Sequence, residues 1–285
     1  MWARLHIGVF SGVHTRYSHS LTFCANAMSI HWRSLCSRRA ARVREAADLV
    51  PPDVCSALIA AFRPAIDATA PTIEYEALVD YRSVPLHACG AAAIGLVEAS
   101  GIGAISALAT GVPSRPGEDI MVARTRALTS SARGILNMHH DQHHGNDHRV
   151  ATFMLNLVSV DPAAHGGETY FPLTHASADD ALALTLSASY ERGERFWTRS
   201  SVLGVECEKR YLHANKEEQT GISVAACAGS VLVFDASPDP AAWHAPCLLR
   251  TGSEKEHPVE KWTVTWFKAP ALATAAWPAA LLHGI

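Results

Sequence analysis

The chain has 285 residues, a formal net charge of −3 and a hydrophobic fraction of 48%. This length fits one large domain, or a catalytic domain with a helical support, and the apolar content is enough for a substantial core. The near-neutral charge balance gives no argument for binding to nucleic acid or to a membrane surface.

The beginning of the chain differs in composition from the rest. The first 44 residues contain seven arginines and no Asp or Glu, and they are rich in Ser and His. Such a composition is typical of targeting segments. We therefore predict a basic leader over residues 1–45, which is either an organellar targeting segment or disordered.

The seven cysteines are scattered along the chain and form no Cys-x-x-Cys pair. A structural zinc knuckle is therefore not expected. Because the number is odd, at least one thiol is free or is paired between chains.

The next region, residues 46–117, has helical patterns. Pro51-Pro52-Asp53 is typical of a helix start, and apolar residues follow it at helical spacing. The apolar stretch from Ala88 to Val112 is interrupted by Glu98 and by glycines, so we predict two buried helical pieces there rather than a membrane span. We interpret the whole segment from Arg42 to Ser106 as helical.

From residue 118 onward the chain has short apolar runs, β-branched residues and frequent turn residues. Strands are predicted at 149–158, 230–234 and 261–267. Residues 177–217 are predicted to form loops with a short helix. The order of helices first and strands afterwards favours a mainly β fold, a sandwich or jelly roll over residues 118–270 with supporting N-terminal helices, followed by a tail at 271–285.

Five of the 16 histidines fall between His139 and His148. Side chains alternate along a strand, so His139 and Asp141 would share a face, whereas His140 would point away. A helix could instead pair His139 with His143, or His140 with His144. Two histidines and one carboxylate on one face of a metal leave coordination positions open, which is the arrangement of non-heme iron(II) oxygenases.

Several further motifs follow in a fixed order. They are Arg149-Val-Ala-Thr-Phe-Met-Leu-Asn-Leu157, Gly166-Gly-Glu-Thr-Tyr-Phe-Pro172, Ala228-Gly-Ser-Val-Leu-Val-Phe234, Trp243-His-Ala-Pro-Cys-Leu-Leu249 and Glu260-Lys-Trp-Thr-Val-Thr-Trp266. Together with His139-His-Asp141, this series resembles the catalytic domain of the prolyl 4-hydroxylases. The resemblance covers roughly residues 118–268.

The resemblance implies a double-stranded β-helix that binds Fe(II) through His139, Asp141 and His244. It implies that Lys261 binds the distal carboxylate of 2-oxoglutarate and that Arg149 orients a peptide substrate. The expected reaction consumes O2 and 2-oxoglutarate, releases succinate, uses ascorbate to maintain the iron, and hydroxylates peptidyl proline as a procollagen-proline 4-dioxygenase does. The resemblance also implies a location in the endoplasmic reticulum or secretory pathway, whereas the basic leader indicates an organelle.

Alternation along the predicted strands agrees with a polar pocket. Thr152 shares a face with Met154, and Lys261 shares a face with Thr263 and Thr265. From that face Thr152 is expected to donate a hydrogen bond to 2-oxoglutarate.

Three cations follow His244, namely Arg250, Lys255 and Lys261. Spacing from the histidine favours Lys255, but it lies in a turn-like segment where a lysine would be solvated. Lys261 opens an alternating strand and precedes a tryptophan, so we predict that it binds the co-substrate.

Two departures from the family concern the pocket. Family members usually carry a tyrosine three residues before the first iron ligand, and this chain has Leu136, so one polar contact is expected to be missing. The loops around residues 171–207 and 251–260 are longer than usual. The alternatives are therefore the same chemistry on another residue or a small molecule, a catalytically silent β-helix used for binding and, least favoured, a zinc hydrolase.

Overall fold

The computed structural model describes residues 32–37, 42–72, 78–115, 117–130, 133–142, 149–177, 179–194, 196–213, 221–236, 239–251 and 258–270. The α-helices in these ranges are α1 (Pro52–Ala68), α2 (Ala91–Ala99), α3 (Ile102–Thr110), α4 (Pro162–His165), α5 (Ala181–Glu191) and α6 (Val202–His213), with 3-10 helices at Leu86–Cys89 and Pro240–Ala242. The strands are β1 (Arg33–Ser37), β2 (Arg42–Ala46), β3 (Val79–Pro85), β4 (Asp119–Ala127), β5 (Met138–His139), β6 (Ala151–Asn156), β7 (Thr169–Phe171), β8 (Phe196–Trp197), β9 (Ile222–Val224), β10 (Val231–Asp235), β11 (Ala245–Pro246) and β12 (Glu260–Lys268).

Eight of these strands are paired as one long folded hairpin. The outermost pair is β4 with β12, followed inward by β5 with β11, β6 with β10 and β7 with β9. Successive pairs alternate between two facing sheets, one with the order β4-β12-β6-β10 and the other with β5, β11, β7 and β9 side by side. This topology is a double-stranded β-helix, or jelly roll, and the predicted mainly β fold class is confirmed.

The larger sheet has seven strands because three more strands extend it. Strand β3 adds to β4 at one edge, and β2 followed by β1 adds to β10 at the other. All the pairings are antiparallel.

Helices α1, α2 and α3 cover the outer face of the larger sheet. Helix α1 begins with Pro52 at its first position, where a backbone N–H would have no partner within the helix. It buries Leu58, Phe62 and Ile66. These side chains pack with residues from alternate positions of the sheet, among them Phe153 and Trp262. The predicted alternation of β6 and β12 is therefore confirmed, with the apolar faces under the helices and the polar faces turned inward.

The apolar stretch from Ala88 to Val112 contains two helices, as predicted. Helices α2 and α3 are separated at Gly101, which has a positive φ of 71°, and both contribute buried residues to the core under the sheet. Across the described ranges, we find no single helix with the length and apolar character needed to cross a membrane. Helices α2 and α3 meet those criteria only when taken together, as a bent pair.

The helical interpretation of the segment from Arg42 to Ser106 is wrong in two places. Residues Arg42–Ala46 and Val79–Pro85 are strands of the larger sheet. Val79-Asp-Tyr-Arg-Ser-Val84 alternates, but the partner that makes it a strand, β4, lies some 40 residues further along the chain. Strand β1 and most of β2 also fall within the predicted leader. The domain boundaries themselves stay a prediction, and residues 1–31 and 271–285 lie outside the described ranges.

The segment 177–217 contains two helices where one short helix was predicted. Helix α5 begins at the Asp180 cap, whose carboxylate accepts hydrogen bonds from the backbone N–H groups of Leu182 and Ala183. Both helices pack over the smaller sheet around Trp197, Cys207 and Trp243. The sequence Ala181-Leu-Ala-Leu-Thr-Leu-Ser187 has period-2 alternation instead of a helical period, which explains why α5 was missed.

Candidate metal centre

His139 and His244 are brought together by the pairing of the smaller sheet. Each residue donates its backbone N–H to the other's carbonyl oxygen, at 2.9 Å in both directions. Residues paired in this way lie directly opposite each other, so their side chains project from the same face. The two imidazole rings are 4.4 Å apart, centroid to centroid.

Asp141 completes this cluster two residues after His139. Nitrogen or oxygen atoms of His139, Asp141 and His244 all lie within 4.8 Å of one another. The Nε2 atoms of the two histidines are 3.7 and 3.8 Å from the Asp141 Oδ1 atom. These distances are too long for hydrogen bonds, so the three atoms converge on a common point without bonding one another.

The tautomers of the two histidines suit a metal ion. The Nδ1 atom of His139 is 3.1 Å from the Asn137 carbonyl oxygen, and that of His244 is 3.1 Å from the Ala242 carbonyl oxygen. A carbonyl oxygen only accepts, so Nδ1 carries the proton in each ring and Nε2 keeps its lone pair for a ligand bond. Burial and the neighbouring His139 lower the pKa of His244 to about 4, so its imidazole is neutral at pH 7.

The Asp141 carboxylate is held in its charged form. Burial alone would raise its pKa, but His244, His139, the Thr152 hydroxyl and Arg149 together hold the pKa below its ordinary value. The Thr152 hydroxyl donates to Asp141 Oδ2 at 2.6 Å. This bond leaves Oδ1 facing the two histidines. Two imidazoles and one carboxylate are donors that fit a divalent transition metal such as iron.

The cluster opens into a cavity of about 880 Å³ between the two sheets. Its wall on the larger sheet carries the inward-facing side chains of β4, β6 and β12. At the start of β12 the cavity wall includes Lys261, which is buried and donates a hydrogen bond from Nζ to the Gly167 carbonyl oxygen at 2.8 Å. Burial lowers the pKa of Lys261 to about 8. The cavity therefore holds a metal-type donor set and a buried cation.

Each predicted site residue can now be located. His139, Asp141, Arg149, Thr152, His244 and Lys261 all line this cavity. Arg250 does not line it, and its guanidinium donates to the Ala163 carbonyl oxygen. Lys255, His143 and His144 lie outside the described residues.

Thr152 and Arg149 have contacts that the sequence did not predict. The Thr152 hydroxyl proton is used by Asp141, so that proton is not available to 2-oxoglutarate. The Arg149 guanidinium pairs with Asp119, donates to the Asp141 carbonyl oxygen at 3.1 Å, and lies over the Phe267 ring. Both residues therefore support the segment that carries Asp141.

His140 points away from the cluster, as strand alternation predicted. It is buried, with its ring 5.2 Å from that of Tyr190 on α5 and 4.6 Å from that of Trp243. Its position connects the Asp141 segment to helix α5.

Several cavity residues were missed because they come from segments predicted as helix or loop, or because they are common uncharged residues. These are Tyr81, Thr125, Thr169, Glu194, Phe234, Cys247 and Leu249. Tyr81 could have been found from the alternation of Val79-Asp-Tyr-Arg-Ser-Val84, which is typical of a strand. Cys247 has its thiol pKa raised by burial.

No protein-family model and no curated protein sequence matches this chain. Among solved structures, the chain is similar to a prolyl-4-hydroxylase of Pseudomonas putida, at 16% identity and a TM-score of 0.42, over 80% of this chain and 93% of that one. It is also similar to the collagen prolyl hydroxylase of Paramecium bursaria Chlorella virus-1, at 13% identity and 0.43, over 80% and 96%.

A third similar structure is the epimerase SnoN of nogalamycin biosynthesis with Fe3+ and alpha ketoglutarate, at 12% identity and a TM-score of 0.49, over 87% of this chain and 86% of that one.

Proposed function

We propose that this chain is an Fe(II)- and 2-oxoglutarate-dependent oxygenase. The observation that supports the proposal is the placement of the His139, Asp141 and His244 donors and the Lys261 cation in one cavity. When bound there, iron would supply the centre at which O2 and 2-oxoglutarate react, giving succinate and carbon dioxide. His139, Asp141 and His244 would hold the iron, and three ligands leave positions for the co-substrates.

In this proposal the chain contributes binding and orientation. Lys261 would bind the distal carboxylate, because a buried anion needs a fixed cation. The two sheets exclude bulk water from the Lys261 end of the cavity, where the lysine is only 9% exposed. Thr152 and Arg149 would keep the Asp141 carboxylate in place.

The substrate we propose is a proline-containing peptide, on the strength of the motif series and not of the cavity itself. Ascorbate dependence belongs to the same proposal. The contacts of Arg149 favour a second candidate, the same chemistry on another residue or on a small molecule. This arginine is engaged by Asp119, Asp141 and Phe267, so it is not set aside for a peptide.

Succinate release tests the proposal. The protein is loaded with Fe(II) and given 2-oxoglutarate and O2, with a panel of proline-rich peptides or with none. We expect succinate in all reactions and more of it with a productive peptide, whose mass rises by one oxygen. If none of the peptides increases succinate release, the second candidate is favoured. Binding of 2-oxoglutarate without any succinate would indicate a silent binding module.

Variants of the donor set test the metal assignment in the same assay. His139→Ala, Asp141→Ala and His244→Ala should each abolish succinate release and weaken iron binding, measured as bound iron per chain after dialysis. His140→Ala is the matched control. It should keep the iron but lower the thermal stability, because it removes a buried ring from between Tyr190 and Trp243. Loss of iron in His140→Ala with retention in His139→Ala would overturn the assignment.

A further inference from the structure

Tyr81 lines the same cavity as the metal-type donors and Lys261, although it belongs to a strand outside the eight-stranded β-helix. It lies on β3, at the edge of the larger sheet. Its phenol group is a hydrogen-bond donor and acceptor.

The strand register places Tyr81 in line with Lys261. Tyr81 is paired with Thr125 on β4, and Thr125 is paired with Lys261 on β12. Residues directly opposite each other on adjacent strands project to the same face, so these three side chains form one row across the cavity wall. The neighbours of Tyr81 confirm its direction, because Asp80 and Arg82 bond to each other and to groups on the outer face.

The surroundings of Tyr81 fix its ring and direct its hydroxyl. The ring packs against an apolar cluster that includes Val79, Leu136 and Leu249. The Ser83 hydroxyl, two residues along the same face, acts as a hydrogen-bond donor to the phenol oxygen, which leaves the phenol proton for a ligand, and Asp141 interacts electrostatically with the phenol. Ser83 lies one row closer to the metal-type donors than Lys261 does. The phenol therefore lies beside the space between the donor cluster and the lysine.

A molecule that connects the cluster to Lys261 would pass this phenol. One N–H of the Lys261 ammonium is used by the Gly167 carbonyl oxygen, so two remain for a bound carboxylate. The oxygens of a carboxylate can accept more than the two hydrogen bonds that the Lys261 ammonium has left to donate. A hydroxyl fixed beside the lysine would donate one of the others.

We propose that Tyr81 donates a hydrogen bond to the 2-oxo dicarboxylate that Lys261 binds, which makes β3 a part of the co-substrate site. This inference rests on the proposed function, since it assumes the same co-substrate. Tyr81 is a binding residue in this proposal and transfers no proton in the reaction.

Calorimetric titration of 2-oxoglutarate tests the proposal without turnover. The full chain is loaded with Mn(II) in the absence of O2, and wild type is compared with Tyr81→Phe and Tyr190→Phe. Tyr190→Phe is the matched control, because it removes a partly buried tyrosine hydroxyl that donates to the Gln142 side chain. We expect Kd to rise at least about tenfold in Tyr81→Phe, the effect of losing a hydrogen bond to a charged group, and to change less than twofold in the control.

The Kd for Mn(II), measured on the same proteins, separates binding from support of Asp141. It should be unchanged in Tyr81→Phe. An unchanged 2-oxoglutarate Kd in Tyr81→Phe would overturn the inference, and so would a parallel loss of Mn(II) affinity, which would mean that the phenol acts through Asp141. If wild type itself binds no 2-oxoglutarate, the proposed function fails as well, so the two failures are distinguishable.

Discussion

At the scale of single residues, the site depends on side chains that orient the candidate ligands as much as on the ligands themselves. Thr152 is the clearest case, because its hydroxyl selects which oxygen of Asp141 faces the two histidines. The sequence predicted its position on the polar face correctly. Its hydrogen-bond partner could not be predicted, because Asp141 follows a strand of the other sheet and the distance between the sheets is set by packing.

Replacing Thr152 should therefore weaken metal binding. In Thr152→Val the Asp141 Oδ2 atom loses its donor in a buried place, and we expect the affinity for Fe(II) or Mn(II) to fall by about 10- to 100-fold. Thr152→Ser keeps the hydroxyl and should recover most of the affinity. Metal titration followed by fluorescence or calorimetry measures both. If Thr152→Val has unchanged metal affinity and a raised Kd for 2-oxoglutarate, Thr152 binds the co-substrate, as the sequence predicted.

The lowered pKa of Lys261 leads us to expect that co-substrate binding depends on pH. Its pKa of about 8 is below the ordinary value of 10.5 because of burial, so the free site loses its positive charge above about pH 8. A bound carboxylate favours the charged form, and binding above pH 8 must therefore take up a proton. The Kd for 2-oxoglutarate should be flat below about pH 8 and rise about tenfold per pH unit above it.

Calorimetry across pH 6.5–9.5 measures this dependence, a range set by the pKa of about 8. Lys261→Arg is the control, since a guanidinium stays charged throughout and the rise should disappear. Lys261→Ala should bind at least about tenfold more weakly at neutral pH, while Lys255→Ala should match wild type. A normal Kd in Lys261→Ala with a raised one in Lys255→Ala would assign the cation to Lys255 instead.

At the scale of secondary-structure elements, one arginine just before strand β6 connects three parts of the site. Arg149, two residues before the strand, joins Asp119 at the start of β4, Phe267 near the end of β12 and the Asp141 carbonyl oxygen. The sequence predicted the arginine by resemblance. These partners became visible only when β4, β6 and β12 were placed side by side.

Arg149→Ala should consequently affect more than a peptide substrate. We expect a loss of metal affinity and of peptide-independent succinate release together with any loss of peptide hydroxylation, because the Asp141 segment loses its support. Arg149→Lys should be intermediate, since a lysine keeps the charge but not the forked donor geometry. If peptide hydroxylation alone is lost while peptide-independent turnover is normal, Arg149 serves the substrate instead.

The elements that the sequence predicted well are those whose pattern is local. The alternation of β6 and β12 and the helical period of α1 each carried enough signal. Strand β3 did not carry enough local signal, since it is a strand because of a partner far along the chain. Tyr81 was missed for the same reason, and the polar contact expected to be missing at Leu136 is the one that its phenol can restore from another strand.

At the scale of the whole molecule, a buried ion pair connects the first and last strands of the β-helix. The Lys268 side chain is fully buried, and its ammonium donates to Glu118 at 2.6 Å and to Ser114 at 3.1 Å. Burial lowers the pKa of Lys268, and Glu118 acts in the opposite direction. Neither residue lines the cavity, so their role is structural.

Removing one member of this pair should be costly. Lys268→Met leaves a buried carboxylate without its partner, and we expect a loss of about 3–5 kcal/mol in the free energy of unfolding. The double variant Lys268→Met with Glu118→Leu should recover much of that loss. Urea denaturation measures both. A double variant less stable than either single variant would show that the pair is net stabilising.

The position of β12 has a consequence for how the protein is made. This strand fills the gap between β4 and β6, so before it is in place both neighbours present open hydrogen-bonding edges. On this side, strand β4 pairs with residues more than 130 positions further along the chain. These residues are synthesised much later. Over that time the nascent chain is exposed to wrong pairing and aggregation, and the lysine that completes the cavity arrives on the same late strand. Raising the supply of chaperones during synthesis should therefore raise the yield of soluble protein.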